Sequence, residues 1–248
     1  MRTALQRHHF SVYALTIKGF SYDPTLKVSN NVSFIQWMQE VEIQLAQIRL
    51  THDTVVLGGI STGANLALAV GLHAPALVDA LVLISLSLFL DGWKIPWYSK
   101  LLPILLYTPL GHFYAYRETP PYGVMDERIR AWIHKEIHKN QVSASGALEI
   151  DTALLRENHR LQRWVKKGLK THKLNVPSLL LHAQNDEIAS LKNTAFFAKY
   201  VDPDKVSINI YENSYHMLTI DRDRYKMFAD ILLFLKTFEG HEHNPANF

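Results

Sequence analysis

The 248-residue chain contains no cysteine. That excludes a disulfide framework, a thiolate zinc site, an iron–sulfur cluster and a cysteine nucleophile. Long hydrophobic runs are missing too: the longest nearly unbroken one, Ala80 to Leu90, falls short of the ~18 residues a membrane span needs. The opening Met1-Arg2-Thr3-Ala4-Leu5-Gln6-Arg7-His8-His9 shows no basic-then-apolar leader, so no signal peptide is read and a soluble, cytoplasmic domain is expected. Only 11 glycines and 10 prolines, with 20% charged residues, exclude collagen-like, coiled-coil and disordered chains. What is present is an ordinary globular composition, 48% hydrophobic, long enough for one large α/β domain or two small ones.

Charge of one sign is scarce overall, with a net of +3, but it is unevenly placed. Residues 1–85 balance, residues 86–172 carry a net +5, and residues 173–248 a net −2. The middle excess includes Arg156, Arg160, Arg163, Lys166, Lys167 and Lys170, whose spacing suggests a basic helix face. A solvated face is the plain reading; an anionic surface or acidic substrate is the other. No nucleic-acid motif accompanies the charge, so no nucleic-acid partner is expected.

Strand-like and helix-like segments alternate. Phe10–Ile17 is rich in β-formers and stops at Lys18-Gly19, which predicts a strand. Ser33 is placed to cap a helix to about Arg49, with Phe34, Met38, Val41, Leu45 and Ile48 on one face. Strands are expected at Thr54–Gly58, Leu81–Ile84, Ser178–His182 and Val206–Tyr211. Helices are expected at Thr62–His73, near Leu191–Tyr200 and at Arg224–Phe238, with a loose polar tail at Gly240–Phe248. Strands lacking strict polar alternation, separated by helices, indicate an α/β fold with a mostly parallel sheet covered on both faces. Residues 86–175 interrupt this rhythm with five prolines, nine of the 27 aromatics between Phe89 and Tyr122, and helices expected at Asp126–Asn140 and Asp151–Lys170. They read as an inserted helical cap shaping a substrate pocket, or as additional core. The layout is therefore core at 1–85, cap at 86–175 and core again at 176–248.

Gly59-Ile60-Ser61-Thr62-Gly63 matches G-x-S-x-G where a strand hands over to a helix. The turn is so sharp that side chains two before and two after the serine are expected to collide with backbone. It presents Ser61 at the sheet's carboxyl edge, on a helix N-terminus, where the N–H of Thr62 is placed to stabilise an oxyanion. A phosphate loop is excluded because Gly63 is followed by Ala64-Asn65 rather than Lys and Ser or Thr. Serine at its ordinary pKa is a poor nucleophile and needs a base and an orienting acid. Asp186 follows the strand ending at His182, and His216 follows the strand ending at Tyr211. Both therefore fall on the sheet edge that carries Ser61, with Glu187 as the alternative acid.

These segments, Gly59–Gly63, Ala183-Gln184-Asn185-Asp186-Glu187-Ile188 and Ser214-Tyr215-His216-Met217-Leu218-Thr219-Ile220-Asp221, together with the pattern between them, make the chain similar to the carboxylesterase and monoacylglycerol-lipase-like branch of the α/β-hydrolases. The resemblance spans nearly the whole chain. It implies an acyl-enzyme in which Ser61 attacks an ester carbonyl, His216 shuttles the proton and Asp186 holds the imidazole, with no cofactor and a small-molecule acyl ester as partner.

The chain departs from that family at its start. Family members open with a strand ending in a His-Gly-type loop that supplies a second oxyanion donor. Here Met1–His9 look like the helix that follows such a loop, so the resemblance implies that about 30 residues are absent. That strand would lie between the counterparts of Phe10–Ile17 and Thr54–Gly58, whose backbone groups would otherwise close the gap or go unpaired. A fragment or late-assigned start is the expectation, and an in-frame stop directly before Met1 would remove it.

Other constellations say less. His134 and His138 flank Glu136 on one helix face, but His-Lys-Glu-Ile-His is not the zinc-protease pattern, so they read as a solvated face rather than a metal site. His241-Glu242-His243 reads the same way. Trp97–Tyr107 is apolar enough for a lid, read as an acyl-pocket wall or cap core rather than a membrane-surface contact. Two other function classes stay open: a non-catalytic protein of the same fold, and a hydrolase using the same residues on amides, thioesters or carbon–carbon bonds.

Overall fold

The computed structural model describes residues 1–20, 32–108, 115–117, 119–140, 142–143, 146–147 and 149–238. In chain order these form α1 (Arg2–Arg7), α2 (Phe34–Arg49), β1 (Val56–Ile60), α3 (Thr62–His73) and β2 (Ala80–Ile84). The interval after β2 holds α4 (Leu102–Leu106), β3 (Ala115–Arg117), α5 (Glu127–Asn140), β4 (Val142–Ser143), β5 (Gly146–Ala147), β6 (Glu149–Asp151) and α6 (Thr152–Thr171). The chain then returns through β7 (Ser178–Ala183), α7 (Lys192–Tyr200), β8 (Val206–Tyr211) and α8 (Arg224–Lys236). No helix of the described residues is long and apolar enough to cross a membrane. The tail and its His241-Glu242-His243 lie outside the described residues.

The expected α/β architecture is present: four parallel strands in the order β1-β2-β7-β8, flanked by helices. Alternation along the strands divides the core in two. Leu81, Leu83 and Leu180 face α2, α3, α6 and Phe197 on one side. Val82, Ile84, Leu179 and Leu181 face Met227, Ile231 and Leu235 of α8 on the other. Every residue of β2 and β7 is buried, as central strands covered on both faces require. Truncating a leucine here, Leu81→Ala for example, costs about 2–5 kcal/mol.

Local chemistry explains the element starts. Ser33 Oγ accepts from the Gln36 N–H while Gln36 Oε1 accepts from the Ser33 N–H, a complete capping box on α2. The buried face below it is Phe34, Trp37, Met38, Val41 and Leu45. In α6, Leu161, Val165 and Leu169 join the main core. The last helix of the 86–175 interval thus packs on α3 and belongs to the main core.

One expected element does not form. Phe10–Ile17 joins no strand ladder among the described residues. Its β-forming residues give an extended run, but a strand exists only through a ladder, and no described strand lies beside it. Among the described residues the outer edge of β1 likewise carries no ladder. Phe10–Leu15 and Val56–Ile60 instead line one cavity.

Candidate active site

The turn between β1 and α3 holds Ser61 at φ +55°, ψ −118°, a conformation a side-chain-bearing residue adopts only under constraint. Gly59 makes the turn possible: a Cβ there would stand 2.2 Å from the Gly63 carbonyl oxygen. A Cβ on Gly63 would meet nothing within 4 Å, so the expected steric demand holds for Gly59 and not for Gly63. The reason is directional, because the Gly63 backbone is approached while its own Cβ position faces open space. The Ser61 N–H donates to the Ile84 carbonyl at 2.9 Å, pinning the turn to β2. Thr62, the first residue of α3, has no intrahelical acceptor for its N–H.

The three residues singled out in the sequence converge. His216 Nε2 lies 2.8 Å from Ser61 Oγ, and His216 Nδ1 lies 2.7 Å from Asp186 Oδ2. The other oxygen, Asp186 Oδ1, accepts the N–H groups of Ile188 at 2.9 Å and Ala189 at 2.8 Å. Burial alone would raise the Asp186 carboxyl, but His216, His182 and the Ala189 N–H hold it below the ordinary carboxylate value. The carboxylate is thus charged, fixed, and aimed at one imidazole nitrogen.

Glu187, the alternative acid, does not contact the imidazole ring through any described hydrogen bond. Its Oε2 accepts the His216 backbone N–H at 3.2 Å, and burial pushes its carboxyl up. The sequence left Asp186 and Glu187 adjacent; backbone direction separates their roles.

Several supporting residues were not legible in the sequence. His182 is fully buried, and its Nε2 N–H donates to the Ala189 carbonyl at 2.7 Å, bracing the Asp186 loop. Burial lowers its pKa. Asp221, also fully buried, accepts four backbone N–H groups: Asp126 and Arg222 on Oδ1, Met125 and Tyr215 on Oδ2, at 2.6–2.9 Å. It ties the His216 loop to the start of α5. Gly92 packs against the Asp186 loop, its N–H donating to the Ile188 carbonyl at 2.9 Å; a Cβ there would sit 2.2 Å from the Glu187 carbonyl carbon. Behind the serine, Ser87 Oγ stands 3.5 Å from Ser61 Oγ, and Asn65 Nδ2 reaches Ser87 Oγ at 3.2 Å. Asn65 did leave a signal, since it interrupts the otherwise small and apolar run Ala64–Leu72.

Ser61 and His216 open into a cavity of about 2070 Å³ that also touches Leu101, Leu102, Leu105 and Leu106 from the 86–175 interval. It exceeds the usual ligand-pocket range and continues along the outer edge of β1 to Phe10–Leu15. His134 is hydrogen-bonded to the Tyr122 hydroxyl at 2.9 Å. The His138 side chain lies outside the described residues.

A parallel sheet with a strained serine elbow, to which two later loops bring a carboxylate and an imidazole, defines an α/β-hydrolase. The chain belongs to the serine aminopeptidase S33 family of that fold, whose family model matches residues 1–223. Among solved structures it is similar to metagenome-derived lipolytic enzymes, LipS and LipT, at 13% identity and TM-score 0.67, covering 85% of this chain and 76% of that one. It is similar also to the monoacylglycerol lipase of Paleococcus ferrophilus, at 15% identity and TM-score 0.66 over 83% of this chain and 76% of that one. A soluble variant of the Saccharomyces cerevisiae monoglyceride lipase aligns at 14% identity and TM-score 0.66, over 90% and 74%. At these identities the likeness establishes the fold. No curated protein matches the chain.

Proposed function

We propose that this protein hydrolyses carboxylic esters through Ser61, His216 and Asp186, on medium-chain acyl or monoacylglycerol-like substrates. The observation that carries the reading is the unbroken line of hydrogen bonds from Asp186 Oδ2 through both nitrogens of His216 to Ser61 Oγ. His216 Nε2 takes the serine proton as Oγ bonds to the ester carbon, and the Thr62 N–H stabilises the oxyanion. The protonated imidazole, held by Asp186, gives that proton to the departing alcohol as the C–O bond breaks. Water then repeats the sequence on the acyl-enzyme, losing a proton to His216 and releasing the acid and free Ser61. Residues 86–175 serve as a cap whose leucines around 101–106 wall the acyl pocket, consistent with their place along the cavity.

A fluorophosphonate probe tests this directly. It is expected to label Ser61, and p-nitrophenyl ester turnover is expected to vanish in Ser61→Ala. Absence of both labelling and turnover would favour a non-catalytic protein of the same fold, a reading supported by the outer edge of β1, which carries no ladder among the described residues. A matched panel of p-nitrophenyl esters, thioesters and anilides separates ester cleavage from other bonds.

A further inference from the structure

Lys166 stands on the cavity wall without an acidic partner among the described residues. Asn158, His159, Gln162 and Lys166 of α6 all line the cavity, a spacing that puts them along one helix face. Gln162 Nε2 donates to the Ser87 carbonyl at 2.8 Å, and Ser87 Oγ is 3.5 Å from Ser61 Oγ. Lys166 is one turn beyond Gln162, about 6 Å along the axis. Its ammonium lies 4.5 Å from the centroid of Phe89, two residues after Ser87, and the Lys192 ammonium lies 4.8 Å from the same ring. A chain of contacts thus leads from the serine hydroxyl to a pair of cations in the same cavity.

Lys166 is the poorly compensated member of the pair, since Lys192 is exposed and faces Asp91. Lys166 is half-buried and makes no ion pair among the described residues. Desolvation and the charges of Arg163, Lys170 and Lys192 all disfavour its protonated form. His159 on the same face is pushed down by burial and by Lys166 and Arg163. Asp91, the nearby acid, is occupied: Oδ1 accepts the Ser190 N–H at 3.1 Å and Asn193 Nδ2 at 3.3 Å, and Oδ2 is 4.0 Å from Lys192. A half-buried cation without a counter-charge is costly, and a bound anion relieves the repulsions at Lys166 at once.

We propose that this end of the cavity receives an anionic oxyacid group carried by the substrate, so that the preferred esters have an acyl chain ending in a carboxylate. This rests on the ester-hydrolase reading, and the test separates the two. The probes are p-nitrophenyl monoesters of adipic and suberic acid, each set against the neutral p-nitrophenyl ester of equal chain length. The charged ester is expected to have the higher kcat/KM, and Lys166→Met to lower the charged-to-neutral ratio about ten- to hundredfold, the loss of one or two charge-assisted contacts. Lys167→Met, exposed on the same helix and outside the cavity, is expected to leave the ratio unchanged. Adding a p-nitrophenyl ester with a terminal phosphate tells whether the site selects carboxylate or any oxyanion. A ratio at or below one that Lys166→Met does not move overturns the proposal. If no ester is turned over, the hydrolase reading fails instead. Calorimetry of suberate monomethyl ester on Ser61→Ala then still reads the site, with weaker binding expected when Lys166→Met is added and equal binding refuting it.

Discussion

Asp186→Asn separates the proposed chemistry from mere folding. In the native loop Oδ1 accepts two backbone N–H groups, from Ile188 and Ala189, and Oδ2 accepts from His216 Nδ1. An asparagine must place its carbonyl toward the two N–H donors, since its amide nitrogen has no lone pair for them. The NH2 group then faces His216 Nδ1 and donates to it. That forces the imidazole proton onto Nε2, the nitrogen 2.8 Å from Ser61 Oγ, where a base is needed. The wrong tautomer is worth about 10⁴ in kcat in triads of this type. Stability should change far less: one charge-assisted bond is replaced by a weaker one, about 1–3 kcal/mol. The sign with pH also follows. Because the folded Asp186 value is depressed, its contribution is fully present above the unfolded value, about 3.9, and is lost as pH falls through the folded value. The gap between parent and variant urea midpoints should therefore narrow from pH 6 to pH 3. A folded Asp186→Asn protein whose p-nitrophenyl ester kcat stays within about tenfold of the parent would refute the tautomer argument.

Three further outcomes are expected. Gly92→Ala would drive its Cβ to 2.2 Å from the Glu187 carbonyl carbon, so the Asp186 loop must shift; urea unfolding should show a loss of about 1–3 kcal/mol and kcat should fall with it. Asp221→Asn keeps shape but sets an NH2 group against two of four backbone N–H donors; a loss of about 2–5 kcal/mol is expected, and an unchanged Tm would disprove the clasp. Glu187 has a raised folded value, so its carboxyl is most favourable to the fold below its unfolded value, and that advantage is lost as pH rises. Glu187→Gln should accordingly gain stability relative to the parent between pH 4 and pH 8, measured by denaturant midpoints at each pH.

Much of the fold and the site can be read from local chemistry. The Ser33 cap, the apolar stripe of α2 and the small residues around Ser61 each declare their structure within a few positions. Ser61, Asp186 and His216 were reachable because parallel βα units send every strand-end loop to one edge. Phe10–Ile17 shows where that reasoning stops: its residues favour strand, yet pairing depends on a neighbour that local sequence does not supply. Gly92 and Asp221 were invisible for a related reason, because each acts on a loop brought near only by the insertion after β2.

By itself the sequence determined the alternation of strands and helices, the elbow at Ser61 and the placing of Asp186 and His216 in strand-end loops, since these follow from short-range sterics and one-dimensional pattern. Only the tertiary structure decided which of Asp186 and Glu187 reaches the imidazole, which glycines are sterically required and that Lys166, alone among the lysines and arginines of α6, meets the cavity. Those choices depend on distances between segments far apart in the chain, and such distances are set by packing the whole molecule around its sheet.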